Sequence, residues 1–366
     1  MKLESITING LFGKNSQINY QFNEDLNIIT GRNGSGKTTI IKLAWLIMSG
    51  NIYWALKEIN FKTCKLVTNE YTCIVTKLAN IYCRIELHTH SGEHYLFEDG
   101  GPNGDNEWME SSEDQAAPYL VNYGSSIFFP TFRRIEGGFS LDVTKRNRAA
   151  NRSGNSIDEA LFTLSNKMSN EEHLFVAAIS SQDINSILLK KFASLSEEIN
   201  IFQAEVSRNV IEKIKQHQKA DSQARDADTL LTETRTEIEK IETFRAESMR
   251  PLDAVRTLIE KLFQHAGISF DKRLSFGDAA AAVTSDVLSA GEKQMLSFIC
   301  YNAFHQNAII FIDEPELSLH VDWQRQLYKI LKKQNPTNQF IFATHSPFIY
   351  GKYPDKEVAM GVDRGE

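Results

Sequence analysis

The sequence predicts an α/β fold whose two halves are separated by a long helical segment. The first observation is a glycine-rich stretch, Gly31–Thr39, which stands between a strand-like and a helix-like segment. The second is a pair of apolar, strand-like segments, 308–312 and 339–343, each followed by polar side chains. The third is the helical periodicity of the middle of the chain, from residue 157 to 263.

Composition places the chain among soluble proteins of ordinary polarity. It has 366 residues, of which 42% are hydrophobic and 24% charged, enough to bury a large core in two lobes. A net charge of −7 argues against a globally basic nucleic-acid binder but leaves room for a local basic groove. The apolar runs are too short to span a bilayer and Met1–Ser5 lacks an apolar signal region, so we expect a cytoplasmic protein without a membrane partner.

The cysteines do not have the spacing of a metal site. No C-x-x-C pair occurs among them, so buried, reduced thiols are expected rather than bound zinc. They are Cys64, Cys73, Cys83 and Cys300.

The glycine-rich stretch fits G-x-x-x-x-G-K-[ST], the pattern of a phosphate-binding loop. A strand at 26–30 and a helix at 40–48 would aim backbone N–H groups and the positive end of a helix dipole at one point. We expect Lys37 to reach the β- and γ-phosphates of a nucleotide and the Thr38 hydroxyl to hold Mg²⁺. The residues assigned to the nucleotide are Gly31, Arg32, Asn33, Gly34, Ser35, Gly36, Lys37, Thr38 and Thr39.

Two further residues are candidates for nucleotide contact. Phe12 and Lys14 lie in a glycine-flanked turn between two alternating, strand-like segments at 3–9 and 18–22. They would stack on a base or meet phosphate, although a hairpin-tip aromatic beside a solvated lysine fits the same pattern.

The region before the helical segment has strand-like and basic parts. Short apolar pieces from residue 61 to 97 predict an antiparallel sheet. An apolar strand at 126–129 runs into Arg133 and Arg134, which would grip a phosphate or carboxylate, or form a structural salt bridge. Residues 144–156 are basic and without apolar period, which indicates a mobile loop.

The periodic segment 157–263 predicts an antiparallel helical hairpin or short coiled coil with its tip near 217–228; ordinary bundle helices are the alternative. Pro251 is expected to break or kink the second helix. The expected organisation is an N-terminal lobe at 1–140, the loop and helical insert at 141–265, and a C-terminal lobe at 266–366.

The C-terminal lobe carries the remaining chemical groups. The strand at 308–312 ends in Asp313 and Glu314, and a parallel strand presents its functional groups at its C-terminal end. Asp313 is placed to hold Mg²⁺ and Glu314 to polarise an attacking water. His345 follows the next strand and would hydrogen-bond the γ-phosphate or that water.

A second anion-binding helix start is predicted at Ser289 and Gly291. One chain would then contain two phosphate-seeking helix ends. The second of them could meet phosphate in another protomer.

These motifs together resemble those of ABC-type ATPases. The segments are GRNGSGKTT, LSAGEKQ, IIFIDEPELSLH and ATHSP, in the expected order. The long helical insert resembles the SMC, Rad50 and RecF branch. Within that branch, EPELSLH and the closing ATHSP most resemble the OLD-like ATPases, which include the ATPase subunits of anti-phage systems such as Septu, PARIS, Gabija and some retrons.

The resemblance implies an ATP- and Mg²⁺-dependent homodimer or an oligomer of dimers. The first protomer would contribute Lys37, Thr38, Asp313, Glu314 and His345, facing Ser289 and Gly291 of another protomer across the γ-phosphate. Two departures from the family pattern stand out. Many family members have a glutamine-bearing loop before the helical insert, but residues 131–138, which occupy roughly that place, contain no glutamine. In the loop after Glu314, His320 stands where many relatives carry an aspartate.

The resemblance leaves three functions open. The first is an ATPase that controls a separate nuclease or toxin effector in anti-phage defence, since the short segment after His345 fits no TOPRIM nuclease domain. The second is a RecF/Rad50-like DNA-repair ATPase that binds DNA directly. The third is a nearly inactive, nucleotide-dependent scaffold. DNA or a phage protein are therefore possible partners besides the effector.

Overall fold

The computed structural model describes residues 1–99, 111–135, 157–170, 172–179, 181–219, 224–265 and 289–360. The chain divides into two compact units, Met1–Ser180 with Ser289–Glu366, and Ser181–Leu288. The predicted boundaries at residues 140 and 265 stay a prediction. The expected loop at 144–156 lies outside the described residues.

The first unit contains an antiparallel sheet that confirms the alternating segments predicted from the N-terminus to residue 97. Buried residues alternate with more exposed ones along its strands, as expected for a sheet that packs one face against the core. The strands are β1 (Leu3–Asn9), β2 (Gln17–Gln21), β4 (Thr63–Thr68), β5 (Tyr71–Ala79), β6 (Tyr82–Thr89) and β7 (His94–Glu98), in the spatial order β2-β1-β4-β5-β6-β7.

A second sheet of the same unit is parallel throughout. Its central strands are apolar and fully buried, as expected where both faces are covered. The strands are β3 (Leu26–Thr30), β8 (Ser125–Phe129), β10 (His173–Phe175), β12 (Ala308–Asp313), β13 (Gln339–Ala343) and β14 (Glu357–Ala359), in the order β10-β8-β12-β13-β3-β14. A short parallel pair joins β9 (Arg134–Ile135) to β11 (Ala178–Ile179).

The helices of the first unit pack around these sheets. They are α1 (Lys37–Met48), α2 (Ile52–Glu58), α3 (Ser112–Val121), α4 (Ile157–Met168), α7 (Ala290–Phe304), α8 (Val321–Gln334) and α9 (Pro347–Tyr350), with short 3₁₀ turns at Leu11–Gly13 and Pro354–Lys356.

Helix α1 lies at the centre of the core. It is apolar on nearly all sides, and such a helix is stable only when surrounded by protein. It contacts β8, β12 and β13, and its Trp45 ring lies 5.7 Å from Phe128 and 5.3 Å from Phe175. Only the glycine-rich loop separates β3 from α1. The packing of α1 in the core therefore fixes the position of this loop.

The second unit contains the two long helices α5 (Ser181–Lys219) and α6 (Ala224–His265). Phe202 stacks on Phe244 at 4.2 Å, and Lys213 lies 3.5 Å from Glu237. These pairs match antiparallel helices, as the predicted hairpin requires. Of the two outcomes predicted at Pro251, the break is wrong, since α6 continues through it, and the kink stays a prediction. An interior proline removes one backbone hydrogen bond and crowds the preceding turn, and the remaining hydrogen bonds of this 42-residue helix carry it past that point.

Among the described residues, no helix combines the length and the apolar composition needed to cross a bilayer.

Truncation of Leu46 in α1 tests the core. Leu46 is fully buried, so Leu46→Ala should lower the free energy of unfolding by about 2–5 kcal/mol. Leu96→Ala is the matched control, because Leu96 is 56% exposed and should change stability by about 0.5 kcal/mol or less. Urea unfolding followed by tryptophan fluorescence measures both; equal losses would contradict the assigned core.

Acid sensitivity should arise in part from His173 on β10. Its side chain is buried, Nδ1 lies 2.7 Å from Ser126 Oγ, and burial lowers its pKa to about 4. Between pH 6.5 and about 4 the unfolded chain binds a proton there that the folded chain does not, so stability falls as pH decreases. Urea unfolding across this window should show a smaller fall in His173→Gln than in the exposed control His90→Gln, and identical falls would contradict it.

Candidate functional site

The glycine-rich loop leads from the end of β3 into the N-terminus of α1. Gly36 is the N-cap of α1 with a φ of 99°, a backbone conformation that favours glycine. A Cβ atom there would also lie 2.8 Å from the ring of Phe12. The loop therefore requires glycine here for two reasons, and the positive end of the α1 dipole faces the loop.

Lys37 lies inside this loop. Its side chain is buried, and Nζ donates hydrogen bonds to the carbonyl oxygens of Gly31 at 3.2 Å and Arg32 at 3.4 Å. Nζ also contacts Nε2 of His345. Burial lowers the pKa of Lys37, and the carboxylates of Glu314 and Asp313 act in the opposite direction. The ammonium group is thus held where an anion bound by the loop would meet it.

Asp313, the last residue of β12, joins the loop to the parallel sheet. Its Oδ1 accepts a hydrogen bond from Thr38 Oγ1 at 2.9 Å, and its Oδ2 accepts one from Thr131 Oγ1. Burial raises the pKa of Asp313, while these two hydrogen bonds lower it. The side chains of Thr38, Thr131 and Asp313 offer only oxygen atoms as metal ligands, and a hard cation such as Mg²⁺ prefers oxygen ligands.

Arg133 follows β8 and fixes the backbone around Asp313. The guanidinium is buried and donates to the carbonyl oxygens of Asp313 at 2.6 Å and Glu314 at 2.9 Å. Burial lowers its pKa to about 10, so it stays charged at neutral pH. The sequence left open a phosphate, a carboxylate or a salt bridge as its partner. The structure instead gives it backbone carbonyls, including that of Pro130 at 2.9 Å.

Glu314 sits in a constrained turn directly after β12. Its φ is 48°, and its N–H donates to the carbonyl of Ala343 on β13 at 2.8 Å. Its Oε1 lies 3.5 Å from His345 Nε2. Burial raises the pKa of Glu314 to about 8, with further contributions from Glu316 and Asp313. Burial, and then the charge of Lys37, lower the pKa of His345.

Glu316 links this turn to the end of β13 and was not among the predicted site residues. Its Oε1 accepts hydrogen bonds from Thr344 Oγ1 at 2.7 Å and from the backbone N–H of His345 at 2.8 Å. It thereby fixes the backbone from which the His345 imidazole reaches Lys37 and Glu314. The sequence signal was a second glutamate two positions after Glu314.

Two adjoining clefts open at the loop. The first cleft has a volume of about 480 Å³ and contains most of the predicted residues, together with Thr131, which was not predicted. It is lined by Phe12, Asn33, Gly34, Gly36, Lys37, Thr38, Thr39, Thr131, Glu314 and His345. The other, of about 420 Å³, is lined by Leu11, Phe12, Lys14, Ser16, Ile18, Tyr20, Arg32, Asn33, Gly34, Ser35 and Met360. Phe12 stands between them, 47% exposed.

Ser289 and Gly291, at the start of α7, do not line either cleft. Ser289 caps α7, and its N–H and Oγ both donate to the Glu292 carboxylate, at 2.8 and 2.7 Å. Gly291 packs against the loop after Glu314 so closely that a Cβ atom would lie 2.2 Å from the Ser318 carbonyl oxygen. Neither residue is therefore among those that line the two clefts beside the phosphate-binding loop.

Comparison with known proteins finds a family that matches most of the chain and a relative that matches a short part of it. The family described as AAA ATPase domain matches residues 1–350. A retron Vc95 probable ATPase from Vibrio cholerae serotype O1 biovar El Tor is 28% identical over 86 residues. That alignment covers 20% of this chain and 17% of the relative, so the chain matches under a fifth of that protein's length.

Solved structures that match over most of this chain include SMC head domains. The Smc head domain of Pyrococcus furiosus, with an extended coiled coil and bound to the C-terminal domain of ScpA, shares 15% identity at a TM-score of 0.37. That comparison covers 96% of this chain and 91% of the other. The SMC head domain from Thermotoga maritima shares 12% identity at a TM-score of 0.37, covering 96% and 92% of the two chains.

Replacement of Arg133 tests its role in holding the turn. Arg133→Met leaves the Asp313 and Glu314 carbonyls without their donor, so it should lower the free energy of unfolding by about 3 kcal/mol. Arg325→Met, at an exposed arginine, should cost less than about 1 kcal/mol. Urea unfolding of both variants checks this, and equal effects would refute the role assigned to Arg133.

Proposed function

The chain belongs to the AAA ATPase domain family. From this premise we propose that it binds ATP with Mg²⁺ and hydrolyses it slowly, in a site completed by a second copy of the chain. The observation that carries the proposal is the convergence of Lys37, Thr38, Asp313, Glu314 and His345 around one cleft.

The phosphates would bind where the loop Gly31–Thr39 meets the start of α1. Lys37 now donates to two carbonyls of its own loop. A triphosphate offers stronger, charged acceptors at the same place, and we expect Lys37 to turn to them. The N-terminus of α1 adds favourable dipole charge.

The cation would be held by oxygen atoms of Thr38 and Asp313, which already lie 2.9 Å apart. Bound Mg²⁺ supplies positive charge that neutralises the phosphates. Thr131 keeps the other oxygen of Asp313 oriented. Asp313 is buried at the end of a central strand, so its carboxylate cannot swing away from Thr38.

Glu314 is the group proposed to accept a proton from the attacking water. Burial and the neighbouring carboxylates raise the pKa of Glu314 to about 8. Bound Mg²⁺ would act to lower the pKa of Glu314, whereas the negative charge of the triphosphate would act to raise it. His345, 3.5 Å from Glu314, would orient the γ-phosphate or that water.

The base of the nucleotide would rest in the second cleft. Phe12 offers an exposed ring at the boundary between the clefts, and Lys14 lies on the rim of the second. An aromatic face and a cation there suit a purine and its phosphates.

A second copy would supply Ser289 and Gly291. Neither lines the cleft of its own chain, although Ser289 begins a helix whose N-terminus suits an anion. ATP held between one protomer's phosphate loop and another's Ser289 would join the two, and hydrolysis would release them. This matches the resemblance to ABC-type ATPases of the SMC and OLD-like branch.

The nucleotide-controlled dimer would regulate a separate effector, a nuclease or toxin, in anti-phage defence. The short match to the retron ATPase supports this reading. Cytoplasmic location is part of the same proposal. A tight, salt-sensitive affinity for duplex DNA would favour a DNA-repair ATPase instead.

Two variants separate binding from hydrolysis. Lys37→Ala removes the phosphate-binding ammonium and should abolish ATP binding in calorimetric titrations. Glu314→Gln keeps the shape of the cleft but loses the base, so it should bind ATP at wild-type affinity while phosphate release falls at least about 100-fold. Light scattering should then detect an ATP-dependent dimer, most persistent in Glu314→Gln.

Lys329→Ala is the matched control for Lys37→Ala, because Lys329 is an exposed lysine of α8 that lines neither cleft. It should leave ATP binding unchanged. Hydrolysis by Glu314→Gln at the wild-type rate would refute the assignment of the base, and an ATP-bound monomer would refute the shared site.

A further inference from the structure

A group of two histidines and one glutamate lies on the antiparallel sheet, and none of the three lines the clefts described above. We propose that Glu86, His88 and His94 form a binding site for a divalent transition-metal ion such as zinc. This inference is independent of the proposed ATPase function.

Strand register brings the three residues together. His88 on β6 and His94 on β7 are directly paired across the two antiparallel strands. Glu86 precedes His88 by two residues, so the strand repeat places both side chains on the same face. Ile85 and Leu87 point the other way into the core. The three polar side chains therefore share the outer face of the sheet.

The donor atoms are close enough for one ion. Each residue offers one ligand atom, and these atoms all lie within 4.8 Å of one another. The two imidazole rings stack with centroids 4.2 Å apart and planes 21° apart.

The three side chains are not committed elsewhere. Across the part of the chain that the structure describes, none of them makes a hydrogen bond or ion pair through its side chain. Arg84, a cation two residues before Glu86 on the same strand, is already bound by both carboxylate oxygens of Glu98, at 2.9 and 2.7 Å. The Glu86 carboxylate therefore remains available for a metal.

The chemistry of the set selects the kind of ion. Two imidazoles with one carboxylate suit Zn²⁺ and its first-row neighbours, and leave a fourth position for water or another ligand. Mg²⁺ prefers an oxygen-only set, as at Thr38 and Asp313. Because β7 is the last strand of this sheet, an ion shared between β6 and β7 would hold that edge strand in place.

Metal titration of the full-length chain, stripped with a chelator, tests the site. Zn²⁺ in competition with a chromophoric chelator should show about one equivalent bound, and Co²⁺ should give visible d–d absorption. We expect His88→Ala and His94→Ala each to weaken Zn²⁺ binding at least about tenfold. Zn²⁺ should raise the melting temperature of the wild type but not of these variants.

His90→Ala is the matched control, since His90 is exposed, lies just beyond β6, and has Nδ1 3.0 Å from the Asn69 carbonyl oxygen. It should bind Zn²⁺ like the wild type, as should Lys37→Ala. Absence of Zn²⁺ binding by the wild type would overturn the proposal, and so would binding that survives in both His88→Ala and His94→Ala.

Discussion

The hydrogen bond between Asp313 and Thr38 is the contact on which the candidate site depends. It joins residues 275 positions apart in the chain, one at the end of a central strand and one at the start of the buried helix α1. A buried carboxylate is stable only with partners. Asp313 finds them in Thr38 and Thr131, so its own requirement for hydrogen bonds holds the phosphate-binding loop against the parallel sheet.

A second layer of contacts fixes the residues around Asp313. Arg133 donates to the backbone carbonyls of Asp313 and Glu314, and Glu316 accepts a hydrogen bond from the backbone N–H of His345. Glu314 is held at a positive φ by its N–H bond to β13. The backbones of Asp313, Glu314 and His345 are thus fixed by contacts outside the cleft, while the side chains of Glu314 and His345 face each other in it.

The two sheets of the first unit contribute different parts of the site. The parallel sheet supplies the loop, the carboxylates and His345 at the C-terminal ends of neighbouring strands, as is usual for such sheets. The turn between β1 and β2 of the antiparallel sheet supplies Phe12, which packs on Gly36. Helix α1 is buried in the core next to the parallel sheet, so its packing fixes the positions of these parts relative to one another.

The sequence alone determined the α/β class, the hairpin of long helices, and the roles proposed for Lys37, Thr38, Asp313, Glu314 and His345. Those inferences rest on local patterns, because a strand, a glycine turn and a helix follow one another within a few residues. Only the tertiary structure decided the position of Phe12, the attachment of Thr131 to Asp313 and of Arg133 to carbonyls, and the meeting of His88 with His94. It also showed α6 continuing through Pro251. These features depend on strand register and on contacts between residues up to about 180 positions apart, and local spacing carries no information about such partners.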